Sequence, residues 1–191
     1  LHHGFLGNPS RGVVTGSSGQ VAQEHHPEAR ARFAGTLKAK YYVRPLDMII
    51  GASFRGYRDT WDVLSQTYEI EAERYMLPWL RLAAKGRYYN QTGALFWSDD
   101  YTGGEPKHGP RGQYWSGDRE LSPLKSYLFG GRVLGSWKGT REDRLLGMLL
   151  DFSAGASLDV IQTELEDFTL AGTAPDDTTA FVFGLSVHGG F

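Results

Sequence analysis

The sequence predicts an all-β fold: an antiparallel up-and-down transmembrane β-barrel with about eight strands visible, either complete or part of a larger barrel. Three features predict it. Apolar and polar residues alternate with period two in segment after segment. The alternating segments run to about a dozen residues, whereas soluble strands cluster near about 5–6 and bilayer-spanning ones need about 9–11. Connections between the segments are alternately short and long, as at the two ends of an outer-membrane barrel.

Between Arg30 and Val43 one parity carries Ala31, Phe33, Gly35, Leu37, Ala39, Tyr41 and Val43, and the other Arg32, Thr36, Lys38 and Lys40. A strand sends these two sets to opposite faces. After a Pro45-Leu46-Asp47 turn, Met48, Ile50, Ala52 and Phe54 alternate with Ile49, Gly51, Ser53, Arg55 and Tyr57. Tyr68, Ile70 and Ala72 then stand against Thr67, Glu69, Glu71 and Glu73. A turn at Leu77-Pro78 leads to Leu80, Leu82, Ala84, Gly86 and Tyr88 opposite Arg81, Lys85, Arg87 and Tyr89. Tyr127, Phe129, Val133 and Trp137 oppose Ser126, Gly130, Arg132 and Ser136 in a fifth strand. The sixth sets Leu146, Met148, Leu150, Phe152, Ala154 and Leu158 against Gly147, Asp151, Ser153, Gly155 and Asp159. The seventh sets Phe181, Phe183, Leu185, Val187 and Phe191 against Gly184, Ser186, His188 and Gly190. Residues 1–7 read as the end of an eighth strand.

The short connections are Pro45-Leu46-Asp47, Leu77-Pro78 and residues 138–144; the long ones are 8–29, 98–123 and 166–178, expected outside the cell, and 59–63 is a modest exception. Tyr41, Trp79, Trp137 and Phe191 fall at the short-turn end, where an interfacial aromatic girdle belongs, and Trp61 and Trp97 fall at the other. Phe191 closes an apolar parity, the pattern of an assembly signal for outer-membrane proteins. The whole of residues 1–191 reads as one barrel domain.

Bulk composition is consistent with this and excludes several alternatives. With 20 basic against 22 acidic residues the net charge is −2, so no basic excess points to nucleic acid. Cysteine is absent, which excludes disulfides and thiolate metal sites. Mean hydropathy is only −0.38, and no apolar run approaches the roughly 20 residues of a transmembrane helix. Barrels escape hydropathy scans because lipid-facing and lumen-facing residues alternate. Leu1-His2-His3 reads as an interior start, so earlier native residues are expected unless the mature chain begins there.

Several local motifs then point to one family. Gly4-Phe5-Leu6-Gly7-Asn8-Pro9-Ser10-Arg11 resembles the GYxNNPYR-type segment of the bacterial outer-membrane β-barrel family of unknown function DUF3570, with Ser10 where an aromatic is usual. Glu24-His25-His26-Pro27-Glu28-Ala29-Arg30 is similar to its E-x-x-P-x-x-R stretch. Tyr57-Arg58-Asp59-Thr60-Trp61, Arg87-Tyr88-Tyr89-Asn90-Gln91 and Ser116-Gly117-Asp118-Arg119-Glu120-Leu121-Ser122-Pro123 resemble three further hallmarks. The resemblance covers most of residues 4–191. It implies an outer-membrane barrel, of which this chain is the C-terminal part or a short member, and it implies no activity.

Chemistry-bearing residues are few. His25-His26 lies in a loop and no histidine pair has helical metal-site spacing, so loop solvation or lumen hydrogen bonding is the expected role. Asp99, Asp100 and Glu105 lack the spacing of a calcium loop. Ser186 and His188 share a parity but lie near the short-turn end, away from where a barrel hydrolase would keep its nucleophile. The charged parity is the most informative constellation. Glu69, Glu71 and Glu73 form one acidic strand face, flanked by Arg55 on one side and Arg81, Lys85 and Arg87 on the other. Cross-strand pairing of these charges, filling the lumen, is the expectation; water-lined charges in a wider barrel are the alternative. The expected protein is therefore non-enzymatic, without cofactor or metal, resident in the outer membrane with a periplasmic C-terminus. Its expected partners are outer-membrane lipids, the barrel-insertion machinery and other envelope proteins, and its role a scaffold or anchor, with a pore or conduit as the alternative.

Overall fold

The computed structural model describes residues 2–3, 12–15, 20–98, 113–139, 150–167 and 177–190. Four short strands come first: β1 (His2–His3), β2 (Gly12–Thr15), β3 (Gln20–Gln23) and β4 (Ala29–Arg30). Seven long ones follow: β5 (Arg32–Val43), β6 (Met48–Asp59), β7 (Leu64–Leu77), β8 (Leu80–Gln91), β9 (Leu124–Lys138), β10 (Asp151–Leu165) and β11 (Thr178–Gly190). The long strands make one antiparallel meander in which every neighbour in sequence is a neighbour in the sheet. Among the described residues no helix is long and apolar enough to cross a membrane, which says nothing of crossing by strands.

Local chemistry sets the reversals. Between β5 and β6, Pro45 lies in a 3-10 turn (Arg44–Leu46), and Asp47 adopts a left-handed φ of 47° as the chain turns back. The Tyr42 hydroxyl donates to the Asp47 carboxylate across this turn. Asp62, at φ 67°, reverses the chain between β6 and β7. The tight β7–β8 hairpin carries a bulge between Tyr75 and Leu77.

Period two becomes two physically distinct faces because the registers align one parity across all seven strands. On the apolar face, Ala39, Ala52, Ile70, Gly86, Phe129, Val160 and Phe181 lie in one cross-strand row, and Tyr41, Ile50, Ala72, Ala84, Gly131, Leu158 and Phe183 in the next. These side chains have little protein over them: Phe183 is 76% exposed and Leu185 is 88% exposed. Four consecutive rows, from Leu37 to Val43, apolar or aromatic but for Arg74 and for Gln162 and Thr179 at the β10–β11 end of the Leu37 row, cover roughly 20 Å along the strands at about 3.4 Å per residue. Arg74 enters the row nearest the short turns, where it is exposed.

Three expectations change. Among the described residues seven strands form the sheet; of residues 1–7 only His2–His3 are described, and they pair with Ala29–Arg30 outside it. Lys138, expected in a short turn at 138–144, is the last residue of β9 and pairs with Asp151, where β10 starts. Leu146, Gly147 and Met148 lie outside the described residues, as does Phe191. The long segment 8–29 contains a hairpin of its own, β2–β3. Within the sheet, β5 and β11 are the two edges and, being first and last of an odd meander, run in the same direction.

The buried core is not sandwiched between layers. It sits at the long-loop end, where Trp61, Val63, Ala94, Phe96 and Leu121 pack together with Tyr57, Trp97 and Tyr114.

Candidate functional site

The polar face of the sheet and the loops that fold onto its end form the candidate site. Loop residues first make a cap. His25 and Trp115 exchange backbone hydrogen bonds of 3.0 and 2.9 Å, and Ser116 donates its N–H to the Phe96 carbonyl at 3.2 Å. Asp118 accepts from the Glu120 N–H at 3.0 Å and so starts the 3-10 turn Arg119–Leu121, which buries Leu121. Gln91, on the polar face of β8, donates Nε2 to the carbonyls of Glu120 (2.9 Å) and Ser122 (2.8 Å), fastening the cap to that face. Tyr114 and Trp115 pack against His25 at 5.3 and 5.2 Å, as the aromatic content of this loop suggests; Tyr101, Asp99, Asp100 and Glu105 lie outside the described residues.

Two buried polar groups hold the cap. The Asp59 side chain is wholly buried and accepts from Arg30 Nε (2.8 Å) and Nη2 (2.5 Å), the Tyr57 hydroxyl (2.7 Å), and the Trp61 and Val63 N–H groups (both 3.0 Å). The Arg30 guanidinium also lies 4.2 Å over the Trp61 ring. In the second group, Glu24 Oε1 accepts from the Ser116 hydroxyl (3.1 Å) and the Gly117 N–H (3.0 Å). His26 stacks on Trp61 at 5.4 Å, 3.7 Å from the Glu24 carboxylate, and neither of its ring nitrogens has a hydrogen-bond partner among the described residues. Burial holds the His26 imidazole below its ordinary value, against the opposing pull of the Asp118 carboxylate. Among the described residues no three histidine or carboxylate groups are placed to hold a metal ion.

Below the cap runs a belt of ion pairs, differently partnered from what adjacent strands suggest. Lys40, Gly51, Glu71, Lys85, Gly130 and Asp159 occupy one register row. Glu71 stands opposite Lys85, yet it reaches across Gly51 to Lys40 at 2.6 Å, and Lys85 reaches across Gly130 to Asp159 at 2.9 Å. Both glycines make this possible: a Cβ on Gly51 would stand 2.6 Å from Glu71, and one on Gly130 the same distance from Lys85. The expected pairing of Arg81 with Glu73 is present at 3.1 Å. Arg55, Glu69 and Arg87 make no ion pair among the described residues, although Glu69 and Arg87 are opposite each other in register. Of the seven residues in the network inferred from sequence, four are thus ion-paired and three are not. Lys40 and Asp159 are the members missed, because their partners lie two strands away.

A cavity of about 270 Å³ separates cap from sheet, lined by Arg30, Arg55, Tyr57, Val63, Ser65, Thr67, Tyr89, Gln91 and Glu120. On the opposite, apolar face Phe54, Tyr68, Tyr88 and Tyr127 form a cross-strand aromatic row with ring centroids 5.1, 6.3 and 5.3 Å apart. The next row toward the long loops is polar: Gln66, Asn90, Lys125 and Glu164. The aromatic row, not Trp61 and Trp97, marks the exposed apolar face at that end. Trp61 is 4% exposed inside the cap core and Trp97 packs against it. At the short-turn end Tyr41 and Trp79 are exposed and Trp137 is half-buried. Ser186 and His188 stand on β11 opposite Gly155 and Ser153.

The stretches 24–30, 57–61, 87–91 and 116–123, separate in sequence, therefore converge on the cap and its sheet attachment. No curated protein and no solved structure matches the chain. One family profile does, over residues 2–137, more than half of the sequence, and its description is "Protein of unknown function (DUF3570)". The chain belongs to that family.

Proposed function

We propose that this chain forms a non-enzymatic β-barrel wall in a bacterial outer membrane, with the ordered cap as its presenting surface. One observation carries the reading: an uncovered apolar face, bounded at the long-loop end by a tyrosine-rich row and then a polar row, backs onto a charged face. In water such a face is costly at about 25 cal/mol per Å²; in lipid it is the preferred solvent, and the aromatic row matches the interfacial girdle of membrane barrels. The cap favours a scaffold or anchor, since packed loops offer a partner a surface that needs little ordering. Cell fractionation tests location: the folded protein should sediment with outer membranes and show heat-modifiable gel mobility. Recovery of intact protein from the soluble periplasm would sink the reading.

The unpaired Arg55 and Arg87 favour a second reading, a conduit, because in a dry filled interior an unpaired charge is costly. Planar-bilayer recordings separate the two. A scaffold gives background conductance, and a conduit gives steady conductance whose selectivity shifts with Glu71→Gln.

A further inference from the structure

We infer that the polar face beneath the cap binds a small hydroxylated oxyanion, a sugar phosphate or a sugar carboxylate. The inference rests on the reading of this face as an interior. Its first support is a register row that places Arg55 among hydroxyls: Thr36, Thr67, Tyr89, Ser126 and Thr163 lie in the same cross-strand row. Among the described residues Arg55, Thr67, Ser126 and Thr163 make no side-chain hydrogen bond, so their polar groups remain available to a solute. A guanidinium offers planar paired donors that suit phosphate and carboxylate alike.

The surrounding charges give the second support. The three ion pairs below neutralise Lys40, Glu71, Glu73, Arg81, Lys85 and Asp159 among themselves. Arg30 is likewise occupied by Asp59. In the row between the belt and Arg55, Lys38 and Arg87 flank Glu69 and add a positive balance. Glu120 faces the same cavity from the cap. Its carboxylate disfavours a bare anion but accepts hydroxyl hydrogens, which selects an anion that also carries hydroxyls. The cavity, about 270 Å³, lies just below the about 300–1,000 Å³ usual for drug-sized ligands, which suits a monosaccharide.

Calorimetric titration of the purified folded protein in an uncharged detergent tests this with four probes: a hexose phosphate, a hexuronate, inorganic phosphate and the neutral hexose. Hexose phosphate or hexuronate should bind at least about tenfold more tightly than phosphate alone or neutral hexose, and Arg55→Gln should weaken that binding about tenfold or more. Binding of hexose phosphate alone identifies a phosphate site, and of hexuronate alone a carboxylate site; either supports the inference. Thr67→Val should weaken the sugar anions and leave inorganic phosphate unchanged. Lys125→Gln, on the other face, should change nothing. Should Arg55→Gln lose its heat-modifiable mobility, Arg55→Lys keeps the charge without the fork and should still lower affinity. No binding by either sugar anion, equal binding of phosphate and hexose phosphate, or equal weakening by Lys125→Gln overturns the inference. Specific binding by protein recovered from the soluble fraction would refute membrane location and leave this site standing.

Discussion

Replacing Asp59 should unfasten the cap more than any exposed change on the sheet. The buried carboxylate receives five hydrogen bonds, two from Arg30 and one each from Tyr57, Trp61 and Val63. Asp59→Ala leaves two backbone donors and a largely buried guanidinium without their acceptor. Removing one member of a buried charged pair costs about 3–5 kcal/mol, with the orphaned N–H groups contributing within and beyond that range. Asp59→Asn keeps an oxygen for the Trp61 and Val63 donors and loses the charge that faces Arg30, so about 1.5–3 kcal/mol is expected. Urea unfolding, followed by the emission of buried Trp61, reads both values from the midpoint and slope. The expected order of stability is wild type, then Asn, then Ala. An Ala variant within about 1 kcal/mol of wild type, at unchanged slope, would refute the claim that this carboxylate organises the cap.

Further expectations follow from the same contacts. The folded cap holds His26 below 6.5, so as pH falls through that value the unfolded chain takes up the proton first, and cap stability declines toward the folded value while staying level above about 7. His26→Phe should flatten that decline in hydrogen exchange of residues 113–118; an unchanged slope would count against it. Gln91→Ala removes two hydrogen bonds between sheet and cap and should lower cap protection by about 1–2 kcal/mol, read by exchange, with the β9–β10 ladder unaffected. In a double-mutant cycle, Lys85→Gln and Asp159→Asn should couple by about 0.5–1 kcal/mol, and the coupling should vanish in a Gly130→Ala background because the added Cβ occupies the crossing point.

The period-two pattern was legible because strand geometry imposes it on every residue, and all seven long strands can be read from the alternation of pairs such as Leu37 and Lys38 or Phe183 and Gly184. Their partners were less legible. Glu71 and Lys85 are register neighbours, so the apparent pairing was reasonable, but small Gly51 and Gly130 open longer reaches that only the assembled rows reveal. Trp61 stands at the expected end, but inside the cap rather than on the surface. Its position at a strand end says nothing about whether lipid or a folded loop receives the ring. The cap itself has no local signature, since its links join His25 to Trp115 and Gln91 to Glu120 across long separations.

The crossing of ion pairs over glycines has a consequence for how the sheet chooses its alignment. Alternation penalises a one-residue slip, which would turn every apolar side chain to the wrong face, but it is blind to a two-residue slip, which preserves both faces. The glycine crossings are not blind to it. Slide β6 by two residues and Ile49 or Ser53 replaces Gly51 between Lys40 and Glu71. Slide β9 and Leu128 or Arg132 stands between Lys85 and Asp159. Each glycine thus works as a keyway: the opposite charges can close on each other only at the native setting, and a meander of similar strands gains a way to reject its nearest well-patterned competitor.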